Sequence, residues 1–519
     1  MTGHRLRAPR ENHAILAEPP LADVGTILAE NRRLFQQQLQ FFDVSWADLR
    51  QQARASALTA ARNYLCAAGE PLPDIKGQGL LLAGHQPELF HPGVWIKNFA
   101  LVGLARKHNA IPLNLVVDSD TAKSTQLHLP AGDHQERVPF DHMQGEVPFE
   151  ERRVLDEQLF ATLPERVEPL TKSWPFTPML RDFWQDVKRQ AQRTPLLGER
   201  LVAARRAWER RWGCHGFEVP LSELCRTEPF AWFACHLLSQ LPRFHTIYND
   251  AVHSFRRAHD IRSTSHPVPD LARDGDWFET PFWIWGTGQA RRHRLFARLT
   301  DRSLDLRSGN DVAMSLAHPH ADPEHTTADW LSLERQGIKI RTRALTTTIL
   351  ARMLLGDTFL HGIGGGKYDE LTDVLIQRFY GVWPPRYLVL SATLLLPLPA
   401  FPATLDGVRR LAWERRDLWW NPDRHLPVDE ASTLRKREWI ERPCATPTER
   451  RTRFLQLREI TAQMRSLAQE PYELLGRSLT EARQELSENQ ILQRRDYAFC
   501  LYPEAELREF LSGIVPEAR

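Results

Sequence analysis

The chain has 519 residues, 42% hydrophobic and 25% charged, enough for about two to four domains around a large buried core. Its 67 basic and 65 acidic residues leave a net charge of +2, so nothing global favours a nucleic-acid or membrane partner. The six cysteines are scattered without a CxxC pair, which speaks against a disulfide framework and a structural zinc. The N-terminal stretch lacks a signal-peptide core, and the most apolar segment, Tyr387 to Phe401, is too short to span a bilayer. A cytoplasmic protein is expected.

Residues 1–75 read as a helical segment, with apolar spacing through Leu28, Leu34 and Phe41. Residues 76–140 open an α/β core. Leu80-Leu81-Leu82-Ala83 is a buried-strand run, Trp95, Phe99 and Val102 share a helix face, and Ile111 to Val117 is a second strand. Arg106, Lys107 and His108 sit in the last turn of that helix, where its dipole favours cations. Residues 141–320 read as an inserted, mainly helical region that also holds a strand-like aromatic stretch, Glu279 to Trp285. Residues 321–400 repeat the β-α-β logic around "DTFLHGIGGGKYDELTDVLIQRFYG". The two β-α-β units are expected to share one parallel sheet, because neither alone covers both faces. In residues 401–519 the apolar spacing Leu457, Ile460, Met464, Leu467 and then Leu475, Leu479, Ala482, Leu486 lies on either side of Pro471. That spacing predicts an antiparallel helical hairpin with a coiled-coil-like seam, broken near Pro471.

Ligands of open α/β sheets bind beyond the carboxyl ends of the strands. Three unusual segments fall there. "GHQPELFHPG" supplies Gly84, His85, Gln86, His91 and Gly93 between a strand and a helix N-terminus, with Lys97 one turn on. His85 is expected to face Asp118 or Asp120 and to be a proton carrier with a raised pKa. Asp118 and Asp120 share one side of an extended segment and suit a base, an amine reader or a Mg²⁺ ligand. His361, Gly362, Gly364, Gly365, Gly366 and Lys367 form a glycine loop, followed by Glu370. This loop is one residue short of a P-loop, has Tyr368 in place of its Ser or Thr, and misses the third glycine of the dinucleotide fingerprint. Its glycines imply close backbone approach to a ligand or to another strand. Tyr248, Asn249, Arg256 and His266 lie in a segment whose polar side chains suit an anionic-substrate clamp. Glu279 beside Trp283 and Trp285 could read an amine or a sugar, or be part of a half-buried aromatic strand.

"AGHQPELFHPGVWIKNFALVGLA" and "RALTTTILARMLLGDTFLHGIGGGKYDELTDVLIQRFYG" resemble, in order and separation, two segments of the bacillithiol synthase family (BshC), a family of cysteine ligases. The matching parts cover about a quarter of the chain. Gly84, Gln86, Phe90, Gly93 and Lys97 sit on the first motif; Gly364, Gly365 and Glu370 sit on the second. The resemblance implies a Rossmann-like core with helical insertions, and a C-terminal coiled coil that forms a homodimer. It also implies a ligase joining cysteine to the amine of an amino-sugar conjugate, with ATP or another nucleotide as the expected cofactor and Mg²⁺ left open. His85 stands where the family has glutamine, His91 where it has a small residue, and Asp118-Ser119-Asp120 departs from its acidic-acidic-His segment. The opening motif is also similar to the "QPNYLPW" start of the much shorter WbqC-like proteins. Two further readings stand beside the ligase: a nucleotidyltransferase acting on a small anionic substrate, and a non-catalytic ligand-binding protein on the same fold.

Overall fold

A computed structural model describes residues 6–263, 268–309, 314–427 and 430–515. It divides into two compact units, one built from residues 1–128, 137–396 and 495–519, the other from 129–136 and 397–494.

In chain order, the first unit contains strand β1 (Ile15–Glu18), helix α1 (Trp46–Ala67), β2 (Gly79–His85), α2 (Pro92–Lys107) and β3 (Ala110–Val116). Helix α3 (Leu197–Arg211), β4 (Phe217–Pro220), the single turn α4 (Leu221–Leu224) and α5 (Leu241–Ala258) follow. Next come β5 (Trp277–Gly286), β6 (His293–Leu299), β7 (Ser303–Ser308), β8 (Met314–Ala317) and β9 (Ile338–Thr342). Strand β10 (Thr358–His361), α6 (Ile363–Leu375) and β11 (Leu388–Ala392) come after these, and further helices surround them.

One six-stranded sheet runs β1-β11-β10-β2-β3-β4, parallel except for the edge strand β1. The two β-α-β units therefore do share a sheet: Thr358, Phe359 and Leu360 pair with Leu81, Leu82 and Ala83. The Leu-Leu-Leu run of β2 is fully buried because both faces are covered. Helix α2 packs on β2, β3, β10 and β11, while α1 packs on β4 and on the 351–355 turn that touches β2. Helix α2 begins with Pro92 in its first turn and ends with Arg106 and Lys107, as its dipole favours. Its buried positions extend well beyond the expected stripe, because residues 499–515 cover the other side. Phe499 N donates to Phe90 O (2.9 Å), the Trp95 and Phe499 rings lie 4.3 Å apart, and Val515 abuts Gly103.

The inserted region carries more than the expected helices. Strands β5 to β9 form an antiparallel sheet in the order β8-β7-β6-β5-β9. The aromatic run at Glu279–Trp285 belongs to strand β5 of this sheet, with Phe282, Ile284 and Trp285 buried. Sequence alternation is masked there because β5 is covered on both sides.

The second unit contains α7 (Leu405–Trp420), α8 (Glu430–Glu441) and α9 (Pro447–Leu492). The expected break at Pro471 is absent: α9 runs 46 residues through it, started by a Thr446/Glu449 capping box. The hairpin partner of α9 is α7, which runs antiparallel to it: Phe401, just before α7, bonds Asn489, and the tilted rings of Trp419 and Tyr472 lie 4.8 Å apart. Arg415 over Tyr472 (4.2 Å) and Arg465 over Trp419 (4.1 Å) brace the helix on both sides of Pro471, which offsets the one backbone donor it lacks. Among the described residues no helix is long and apolar enough to cross a membrane.

Candidate functional site

The parallel strands are laid outward as β2, β3 and β4; the chain then returns to the other side of β2 to add β10 and β11. The order reverses between β2 and β10, and crevices of this kind form beyond the carboxyl ends at such a reversal. Gly84, His85 and Gln86 end one flanking strand, His361 and Gly362 end the other, and Asp118–Asp120 follows the adjacent β3. The three segments singled out in the sequence thus line one edge of the sheet.

His85 does not face either aspartate. Its Nδ1 lies 3.0 Å from Gln86 O and its Nε2 3.2 Å from Asn98 Oδ1. Burial, then the positive charges of Arg205 and Lys97, push its pKa down to about 3, so the ring is neutral. The expectation of a raised pKa is overturned: the ring nitrogens meet a backbone carbonyl and an amide oxygen, and burial disfavours the charged form. Lys97 is buried too, its ammonium donating to Gly84 O (2.9 Å), and burial lowers it to about 8. It ties α2 to the end of β2. His91 precedes α2 without capping it, and burial, with Arg495 nearby, lowers it to about 4. Gly93 is a packing glycine: a Cβ there would lie 2.1 Å from Ala392 O.

Asp118 is buried against α4, accepting from Ser222 N (3.0 Å) and from the Ser222 hydroxyl. Burial and then the neighbouring Glu150 carboxylate raise its pKa, whereas Glu150 is held down, against burial, by Arg341 and Lys339. Glu150 accepts from Arg341 at 2.8 and 2.9 Å and lies 2.9 Å from the Lys339 ammonium. Asp118 is thus pushed toward its protonated form while Glu150 stays ionised between its cations. Asp120 is engaged differently. Its Oδ2 accepts from Gln86 Nε2 (3.0 Å) and its Oδ1 lies 3.4 Å from Arg292. Gln86 therefore reads Asp120. Arg292 and Arg343 each lie over the Trp283 ring, at 4.7 and 4.6 Å, and Arg343 also bonds the fully buried Glu279 (2.7 Å). Glu279 is thus committed to arginine. Trp285 donates to Glu151 (3.2 Å). Nearby Glu88 is raised by burial and further by Asp120, and its Oε1 is buried without a hydrogen-bond partner.

The glycine loop divides into two roles. A Cβ on Gly366 would lie 2.4 Å from Val389 Cγ2 and one on Gly365 2.9 Å from His361 Nδ1, so these two permit packing. Gly362 and Gly364 face open space, at the start of α6, which has no side-chain cap. Lys367 is exposed one turn in. His361 is buried with its Nε2 2.9 Å from Asp369, and Asp369 is paired with Arg352 (2.7 Å). Glu370 lies 3.2 Å from His259, just past the end of α5, so it braces two helices.

Asn249 and Arg256 bond the segment that follows α5, while Tyr248 is buried where Arg343 and Glu279 act on it. Tyr248 is buried; Asn249 exchanges hydrogen bonds with Leu271 (3.0 and 2.8 Å); Arg256 bonds Asp270 (2.9 Å) and Val268 O (2.7 Å). Asn249 and Arg256 pin the chain after α5. His266 lies outside the described residues. Ser222, Glu150, Arg341, Arg292 and Arg343 were not singled out in the sequence. Most of them lie 100 or more residues from the aspartates, so no local pattern marks them. Among the described residues no group of three or more His, Cys, Asp or Glu could hold a metal ion.

Comparison of the chain with protein-family models and with curated proteins finds no match.

Proposed function

We propose that the chain is a nucleotide-assisted ligase on a Rossmann-like sheet, similar to the bacillithiol synthases, which joins an amino acid to the amine of a small amino-sugar conjugate. The observation that carries this reading is the glycine start of α6 beside the reversal of strand order, where a Cβ on Gly362 or Gly364 would meet nothing within 4 Å. An uncapped helix start offers backbone N–H groups to a phosphate or carboxylate, and Lys367 adds a cation on the same helix. Amide formation requires the attacking amine to lose a proton. This reading assigns the proton to Asp118 in its ionised form, beside Glu150, and assigns His85, buried and neutral, to holding the end of β2. The same reading assigns Trp413, Trp420, Phe454, Leu467 and Leu474 of the second unit, each more than half exposed, to a coiled-coil-like contact with a second copy.

The test is calorimetric titration with ATP, with and without Mg²⁺, followed by mass-spectrometric detection of an amide formed from cysteine and glucosaminyl malate. Saturable ATP binding that weakens at least tenfold in Gly364→Val, together with ATP-dependent product, supports the ligase. ATP binding without product, for any amino acid offered, favours the non-catalytic ligand-binding reading, which the burial of His85 as a neutral ring also favours. Absence of nucleotide binding removes both the nucleotide and the ligase.

A further inference from the structure

Within the second unit, α7 and α9 enclose a pocket of about 250 Å³. That is smaller than the space a drug-sized molecule fills, and it suits one polar head group. Arg415, Arg416 and Arg483 line it together with Trp419, Trp420 and Tyr472, and no carboxylate does. Arg415 lies over the Tyr472 ring (4.2 Å). Arg465 lies over Trp419 and Trp420 (4.1 and 4.9 Å), a fourth cation beside the lining. Carboxylates on the same stretches of helix serve other partners. Asp417 accepts from Asn421 (2.6 Å) and faces His425 (2.9 Å), Glu414 lies 3.9 Å from Arg410, and Glu473 accepts from Gln469 (3.1 Å).

Buried arginines elsewhere meet carboxylates: Arg205 and Arg206 meet Glu218, Arg341 meets Glu150, and Arg352 meets Asp369. Among the described residues no carboxylate pairs with Arg415, Arg416 or Arg483. Like charges gathered in one pocket repel each other, and an anion placed among them turns that repulsion into attraction. The pocket is also built at the expense of helix propensity. Gly476 is the one glycine of α9, and a Cβ on it would lie 3.3 Å from Arg415 Nε. A mid-helix glycine costs backbone entropy; here the absent side chain leaves room for the guanidinium against α9. Guanidinium forks match the oxygens of a phosphate, and a phosphate monoester brings nearly two charges at neutral pH where a carboxylate brings one. We propose that this pocket binds the phosphate of a small phosphomonoester, with its ester group against Trp419, which is 36% exposed. The site draws on no residue of the glycine loop. Trp420 lines it as well, so the contact assigned above to a second copy leaves the arginines open.

Three probes separate the elements of the proposal: phenyl phosphate (ring and dianion), inorganic phosphate (no ring) and benzenesulfonate (ring and a single charge). In calorimetric titrations of the intact protein, phenyl phosphate should bind saturably. It should bind at least tenfold tighter than benzenesulfonate and at least threefold tighter than inorganic phosphate. Arg483→Glu, at an exposed position, should weaken phenyl phosphate at least tenfold with an unchanged melting temperature. Gly364→Val, in the glycine loop, should leave that binding intact. Four results would each overturn the proposal: no saturable phenyl phosphate binding, equal affinity for the three probes, binding that survives Arg483→Glu, or binding lost in Gly364→Val, which would put the phosphate at the glycine loop. Should Arg483→Glu disturb the fold, Arg416→Gln, also exposed, repeats the test with the same expected loss.

Discussion

Gly93 lies so close to Ala392 that a Cβ on it would sit 2.1 Å from the Ala392 carbonyl oxygen. This contact fixes how near α2 can come to β11, and backbone cannot yield as a flexible side chain would. Gly93→Ala is expected to cost about 1–3 kcal/mol through overpacking, or more if the helix shifts. Chemical denaturation of the purified variant checks it, and an unchanged midpoint would show that α2 has room to spare.

Gly364 and Gly366 predict opposite outcomes within one loop. Gly366→Ala should destabilise, since Val389 occupies the space. Gly364→Ala should leave stability unchanged or raise it by up to about 1 kcal/mol, as Ala is the better helix former. Paired thermal melts measure the sign of each.

The neutral His85 makes stability pH-dependent. Its pKa falls from 6.5 to about 3 on folding, so between these values the unfolded chain binds the extra proton. Stability from this group is fully present above pH 6.5 and is lost as pH falls toward 3, at roughly 1.4 kcal/mol for each pH step crossed. Denaturation at pH 4.5 and 7 compares the slopes. His85→Gln should flatten the slope, and an unaltered slope would show that the ring is not the group responsible.

Asp118 works in the other direction. Its carboxyl is raised from 3.8 to about 7, so the folded state holds the proton and ionisation costs stability as pH rises between those values. Asp118→Asn keeps an acceptor for Ser222 and removes the charge beside Glu150. The variant should be as stable as the parent below pH 4 and more stable above pH 7. If the proposed proton transfer holds, its rate of amide formation should fall at least tenfold.

Leu81 and Pro471 separate core from helix effects. Leu81 is fully buried in β2, and Leu81→Ala should cost about 2–5 kcal/mol through the cavity left behind. Pro471→Ala restores a backbone donor in the middle of α9 and should raise the melting temperature of the helical unit. A lowered melting temperature would mean that the proline shapes the packing against α7.

The parallel sheet was legible because its strands announce themselves locally. Leu80-Leu81-Leu82 has no polar face, and the glycine loop at 362–366 reads as a strand-to-helix turn. The edge antiparallel strand β1 was not legible, since four residues of mixed exposure carry no pattern. The surroundings of Asp118 were hidden for another reason: Ser222 and Glu150 come from other segments, and only the folded chain sets them beside it. His85 shows the same limit. Strand and loop were read correctly, but its neighbour Asn98 lies thirteen residues on, on the next helix, and turned an expected proton carrier into a buried neutral ring. At Pro471 a local rule lost to tertiary packing, because Tyr472 and Arg465 are gripped by α7.

Residues 499–515 lie over α2, against Phe90, Trp95 and Gly103. A ribosome delivers these residues after every strand of the sheet. Until it does, a helix that the folded protein hides on nearly every side stands with one flank in water, and β2 waits for β10, made 277 residues later. The nascent chain therefore carries an unfinished sheet for most of its synthesis.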